Sequence, residues 1–453
     1  MIQQLLNEIR VRKDTKSLLV LKNVVASVAL KGISIVCQFV VVRITLQYLN
    51  VADYGVWLTL SSILTWLTLF DFGFTNGLRN KLTHYYADRN YESARQYIST
   101  AYAFLSAVTT VLLAVFLAGY SAVNWQTVFN APATSSSTLP LVVLYTFVFF
   151  SIRLVLNLVA AILLAVHQAA YVEFINALTQ VVLLGLLYVH THFYKLDLLS
   201  AALLYSVVPV LLLFIFSIFV FNYTYAELKP SVHLVKRSLL KDLGTVGGKF
   251  FGMQLVGLVL FASQNFVIAH FFSPDDVTPF NLAYRYFSVV PIVFNLVIVP
   301  HWSFIAEAYH RHDVAKIRQV VGRLLTIWLL LFLVTVAMVV ISDWVYALWL
   351  GKNVVTISLM MTLVLGLSTA LTTWGGLFSL ILSALGKITV PLITAVTVMF
   401  ISIPLALYLA GLSSLGVAGV PLAFTLCLLP GAILQPYQCY LLLNRKARGL
   451  WAQ

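Results

Sequence analysis

The chain has 453 residues, of which 61% are hydrophobic and 9% charged, with a net charge of +13. A soluble domain carries about 25% charged residues, and no soluble fold of this size hides so much apolar surface from water. Lipid is therefore the solvent for most side chains, at mean hydropathy +0.95; basic residues scattered between apolar runs, with no shared soluble face, exclude nucleic acid as the partner.

In lipid only helices and closed barrels satisfy their own backbone. The apolar runs are about 20 residues long and lack period-two alternation, so they read as membrane-spanning helices. The expected fold class is an all-α integral membrane protein with twelve transmembrane helices.

Residues 1–22 read as a basic, amphipathic lead-in, with Leu5, Leu6, Ile9 and Val11 among Arg10, Arg12, Lys13 and Lys16. Such a segment suits an anionic membrane surface. No small-residue cleavage site follows a short apolar core, so it does not read as a signal peptide. Spans are then expected at 23–46, 54–74, 97–119, 139–164, 171–190 and 199–223. Residues 224–247, basic and containing Pro230, read as a cytoplasmic linker. Six more spans are expected at 248–272, 280–304, 321–342, 356–383, 388–411 and 416–443, followed by a tail at 444–453. The N-lobe is thus 23–223 and the C-lobe 248–443.

Charge tests this count. With a cytoplasmic N-terminus, 22 of the 28 Lys and Arg residues fall in cytoplasmic segments and two, Lys195 and Lys352, fall opposite. The positive-inside rule demands such a bias, and both termini are placed in the cytoplasm. The chain also repeats. An offset of 223 residues carries Asp53 to Asp276, Tyr86 to Tyr309, Arg95 to Arg318 and Gln96 to Gln319. Six spans return the chain to the same side, so the two lobes would be parallel, related by a pseudo-two-fold along the membrane normal, with a central cavity at their interface.

Five ionisable side chains are read inside spans: Lys31, Arg43, Asp71, Arg153 and Arg285. Each costs about 2.5–3.5 kcal/mol at a helix centre, so such residues normally face a bundle interior or a wet cavity. Ser27, Lys31, Ser34 and Gln38 form one stripe at helical spacing; Asn281, Arg285, Ser288 and Asn295 form another. Gln254 and Asn265 share a face of the seventh helix, and Asn157 follows Arg153 by one turn. Four cations against one anion make an interior suited to an anionic substrate, because guanidinium and ammonium groups bind phosphate well. Arg43, near a helix end, can instead snorkel to the interface; Asp71 can instead cap the next helix or pair with a neighbour.

Cys37, Cys427 and Cys439 lie in apolar segments and read as small hydrophobes, with no metal spacing. Prolines within spans, such as Pro209, Pro291 and Pro404, suggest kinks. No catalytic constellation, nucleotide loop or metal motif is present, so the chain does not read as an enzyme, and no cofactor or metal is expected.

The stretch ADYGVWLTLSSILTWLTLFDFGFTNGLRNKLT, residues 52–83, resembles the polysaccharide-biosynthesis exporters, the Wzx-type O-antigen flippases of the multidrug/oligosaccharidyl-lipid/polysaccharide exporter superfamily. Tyr54-Gly55 enters the second helix, Asp71-x-Gly73 closes it, and Asn76–Lys81 opens an Asn/Arg-rich cytoplasmic loop. The resemblance implies two six-helix lobes around a central cavity. It also implies translocation of an undecaprenyl-pyrophosphate-linked oligosaccharide, the repeat unit of O-antigen (lipopolysaccharide) or another surface polysaccharide, across the bacterial cytoplasmic (inner) membrane by ion-coupled alternating access. The implied partners are the lipid-linked oligosaccharide, membrane lipids and a polysaccharide polymerase complex. Lys31, Arg153 and Arg285, with Arg43, are the positions that could hold pyrophosphate, and Asp71 is the position that could relay the coupling ion. A drug or cation antiporter of the same fold should instead show a net acidic interior. The other alternative is a non-transport membrane enzyme or scaffold of polysaccharide assembly; an enzyme should show a His/Asp pair near one membrane face.

Overall fold

The computed structural model describes residues 15–131, 137–166, 168–298, 301–311, 313–351, 354–387, 389–412 and 415–452. Residues 1–14, with Arg10, Arg12 and Lys13 of the amphipathic lead-in, and Lys352 lie outside the described residues. Among the described residues all regular structure is helical. In chain order the helices are α1 (Thr15–Tyr48), α2 (Val51–Thr65), α3 (Phe74–Ala87), α4 (Tyr91–Gly119), α5 (Trp125–Phe129), α6 (Leu139–Leu156), α7 (Leu158–Ala165), α8 (Ala169–Phe193) and α9 (Leu198–Phe219). There follow α10 (Ser238–Phe271), α11 (Pro274–Ile298), α12 (His301–His310), α13 (Val314–Val340), α14 (Ser342–Leu350), α15 (Leu359–Ala384), α16 (Thr389–Ala410), α17 (Gly419–Cys427) and α18 (Leu429–Leu443).

Eleven of the described helical stretches are long and apolar enough to cross a membrane, from Val25–Tyr48 to Gly416–Leu443. The twelfth is broken. Val51–Asp71 and Phe74–Tyr86 meet at an angle of 50°. This corrects one expectation: the basic stretch after Asp71 is not a loop but the helix α3. The break has a local cause. Residues 66–71 tighten into a 3₁₀ turn, and Phe72 (φ 48°) and Gly73 (φ 75°) are left-handed. Such a pair cannot continue a right-handed helix. Asp71 then caps the new start: its Oδ1 accepts from the Thr75 amide at 2.9 Å and the Thr75 hydroxyl at 3.0 Å. Other starts are fixed the same way, with Asn90 accepting from the Ser93 amide, Asp313 from the Lys316 amide, and Asp197 and Ser200 forming a capping box.

Contacts divide the chain into two compact units. The first comprises residues 1–50, 64–127 and 133–255; the second comprises 51–63, 128–132 and 256–453. In the first, a core of buried residues includes Leu82, Ala94, Ile98, Ala101, Leu158, Val159 and Ile162. In the second it includes Ile305, Ile317, Val321, Leu324, Ile381, Leu382 and Leu385. Each residue of the second set lies 223 positions after its counterpart in the first. The offset read from a few surface residues thus also relates the two cores.

Within the first unit α3 crosses α10 at backbone contact. A Cβ on Gly73 would run into the carbonyl oxygen of Gly247, one on Gly77 would sit 2.7 Å from the carbonyl oxygen of Leu243, and one on Gly247 would sit 2.7 Å from that of Gly73. In lipid, helices gain little from mutual apolarity and associate through such close packing of small residues. The crossing ends in a polar knot. Asp242 Oδ2 accepts from Lys81 Nζ at 2.8 Å and from the Tyr97 hydroxyl at 2.5 Å. In the second unit the other motif glycine does similar work, since a Cβ on Gly55 would collide with the carbonyl of Pro274.

Candidate substrate site

In the first unit, α1 packs along α8 and carries the stripe read from the sequence. Lys31 does not stand alone on it. Its Nζ lies 3.6 Å from Glu173 Oε2 on α8. Glu173 falls inside the span Ala169–Phe193, so the tally of one anion against four cations is corrected to two. The carboxylate lies only a few residues from a helix start, where acidic residues are common, and sequence reasoning passed over it. Gln38 is half-buried further along the stripe, and Arg43 is exposed near the far end of α1.

Arg153 sits in the middle of the span Leu139–Ala165. The helix is interrupted one turn later at Asn157, where α6 gives way to α7. Arg153 is half-buried and Asn157 is exposed. Among the described residues the Arg153 guanidinium makes no ion pair or hydrogen bond. A lone cation at this depth is costly, and its retention argues for a ligand or water-filled surroundings. Asp71, at 6% exposure, is spent on the cap of α3. Gln254 reaches from α10 to the Thr68 carbonyl with its Nε2 at 2.8 Å, leaving a buried Oε1 without a partner.

In the second unit the polar residues of α10 and α11 largely bind each other. Asn281 Nδ2 donates to Asn265 Oδ1 at 2.5 Å, and Asn265 Nδ2 donates to the Ser62 hydroxyl of α2. This chain ties three helices together through side chains that look free in the sequence. Asn295 donates back to the Pro291 carbonyl at 2.9 Å and Ser288 to that of Arg285 at 2.7 Å. Arg285 is half-buried in mid-span and acts electrostatically on the buried Tyr54 phenol. One turn on, a crevice of about 40 Å³ opens between Tyr284, Ser288, Ser368, Thr369 and Thr372. A larger cavity of about 400 Å³ is lined by Asp276, Thr356, Ser358 and residues 415–418. Its lining residue Asp276 lies nine residues, about 13 Å, before Arg285 along α11.

The three cations therefore differ in state. Lys31 is loosely paired, Arg153 is bare among the described residues, and Arg285 acts electrostatically on the Tyr54 phenol. Each is a group of the kind that binds oxyanions. Among the described residues no group of His, Cys, Asp and Glu could hold a metal. The three cysteines are free, Cys427 and Cys439 being buried.

The family described as "Polysaccharide biosynthesis protein" matches residues 20–301. The chain is similar in structure to the inward-facing conformation of a multidrug resistance MATE family transporter of the MOP superfamily, with TM-score 0.76 and 14% identity over 93% of this chain and 98% of that one. It is also similar to the lipid II flippase MurJ in an inward closed conformation, with TM-score 0.69 and 12% identity over 92% and 87%. At these identities the likeness concerns the fold. No curated protein matches the chain in sequence.

Proposed function

Since the chain belongs to the polysaccharide biosynthesis protein family, and its fold is that of membrane transporters and flippases, we propose that it translocates a lipid-linked oligosaccharide whose carrier bears a pyrophosphate. The observation that carries this reading is Arg153, a half-buried guanidinium in mid-span with no partner among the described residues. Guanidinium binds phosphate oxygens in a bidentate fork and stays charged when desolvated. Lys31 and Arg285 add charge at intermediate and middle depth. The lipid tail remains in the bilayer while the headgroup meets these cations, and alternating access carries it from the cytoplasmic to the outer leaflet of a bacterial inner membrane. O-antigen or another surface polysaccharide repeat unit on undecaprenyl pyrophosphate fits this description, and a polysaccharide polymerase complex is the natural receiver of the product. Ion coupling belongs to the same reading. Asp71 is the sequence's candidate for it, although its Oδ1 is engaged twice by Thr75.

The test is a deletion strain scored for surface polysaccharide and for lipid-linked units accumulating in the inner leaflet. Loss of the polymer with accumulation of its lipid-linked unit, restored by the wild-type gene, is expected. A normal polymer profile in a strain without a second exporter overturns the reading.

A further inference from the structure

Glu173 is a charged group inside the membrane that the reading above leaves without a task. It lies four residues, about 6 Å, into its span, while Lys31 lies six residues, about 9 Å, into the span Val25–Tyr48. Both sit in the outer third of the hydrocarbon on one side, close to the level of a lipid headgroup. The separation of 3.6 Å is an ion pair but not a hydrogen bond. Glu173 Oε2 is buried and accepts no hydrogen bond. The Lys31 side chain is 37% exposed, so the ammonium keeps an open side. The Glu173 side chain is less exposed, at 24%; the ammonium, on a flexible stem with three donors, can turn away from it.

We propose that Glu173 is an internal surrogate for the substrate's phosphate: it neutralises Lys31 while the site is empty and surrenders the ammonium to the pyrophosphate when substrate binds. This rests on the assignment of Lys31 to phosphate above. Carboxylate and phosphate are both oxyanions and compete for one point charge. An unpaired ammonium in hydrocarbon is costly, so a neutral pair gives the empty protein a form in which it can return. When substrate takes Lys31, Glu173 gives up its counter-ion to the phosphate.

The experiment uses the full chain in nanodiscs with inorganic pyrophosphate as the probe, measured by calorimetry. Glu173→Gln should bind about fivefold more tightly than wild type at neutral pH, the value of a partly exposed ion pair. Lys31→Gln should bind weakly, and adding Glu173→Gln to it should change nothing. Equal or weaker binding by Glu173→Gln, or an equal gain in the Lys31→Gln background, overturns the exchange while leaving the substrate reading intact. If neither wild type nor Glu173→Gln binds pyrophosphate, the phosphate assignment falls and takes this proposal with it. Should Glu173→Gln elute as aggregate, Glu173→Asp, which lengthens the pair, replaces it with the same expected direction.

Discussion

Arg95 donates its Nε to the carbonyl oxygen of Lys229 at 3.0 Å, tying α4 to the chain just beyond the end of α9. At the repeat-related position, Arg318 donates to the Leu443 carbonyl at 3.1 Å and to Asn444 Oδ1 at 2.9 Å, tying α13 to the end of α18. An arginine at the repeat-related place thus ties α4 and α13 to the chain at the end of α9 and α18. Both bonds are exposed, so each clamp is worth about 0.5–1.5 kcal/mol as a hydrogen bond. Arg95→Ala and Arg318→Ala should each lower the thermal midpoint by a similar small amount. The clamps share no partner, so their effects should add in the double variant. Thermal unfolding in detergent measures this, and a synergistic loss would contradict it.

The crossing of α3 and α10 is set by backbone contact, so it should be intolerant of bulk. Gly77→Leu forces a side chain into the Leu243 carbonyl and should cost about 1–3 kcal/mol or prevent folding. Gly185→Ala is the control: nothing lies within 4 Å of its Cβ position in α8, and a helical glycine replaced by alanine gains about 0.5–1 kcal/mol. Opposite shifts in melting temperature are expected; equal shifts would deny the crossing its role.

Asp71 offers a sharper distinction. As a cap it should tolerate asparagine, which caps as well, while Asp71→Ala loses about 1 kcal/mol. A coupling carboxylate would be disabled by either change. We expect Asp71→Asn to transport normally and Asp71→Ala to be less stable, by melting temperature together with polymer export.

These examples show which parts of the protein a sequence displays. Spans are legible because each is a continuous apolar run, and twelve were drawn where eleven helices and one broken pair stand. The repeat was legible in Arg95 and Arg318 because both make the same kind of clamp to a backbone carbonyl, a task that a long donor side chain suits. The buried counterparts, such as Ala94 and Ile317, differ in identity and show their kinship only in place. The break at residues 71–73 was half visible: the glycine was plain, but a left-handed Phe72 was not. Pairings between distant helices were not visible at all. Lys31 with Glu173, and Asn265 with Asn281, depend on which faces meet, and helical spacing fixes a stripe without naming what it touches.

The Asp242 knot predicts a pH dependence. The hydrogen bond from Lys81 foremost, and then that from Tyr97, hold the Asp242 carboxyl below its ordinary range. A carboxyl depressed in the folded state contributes stability that is present above its unfolded pKa, about 3.9, and is lost as pH falls through the folded value. With Asp242 38% exposed, solvent screening keeps the contribution below about 1 kcal/mol. Asp242→Asn should therefore melt slightly below wild type at pH 7, and the gap should close as pH falls below about 4. A gap that persists in acid would assign the loss to packing.

Arg153 should separate stability from function. A residue kept for the fold weakens the protein when removed. A desolvated guanidinium without a partner does the reverse, because the unpaired charge itself is costly. Arg153→Met keeps length and apolar contact while deleting the charge, so its melting temperature should equal or exceed that of wild type. Export should nevertheless fall at least tenfold, equivalent to about 1.4 kcal/mol of lost interaction with a phosphate. Arg153→Lys should recover part of it, since charge remains but the fork is lost. Parallel melting curves and polymer export in a complemented deletion strain decide the matter. A methionine variant that exports normally would remove Arg153 from the substrate's path, and one that unfolds would make it a structural residue after all.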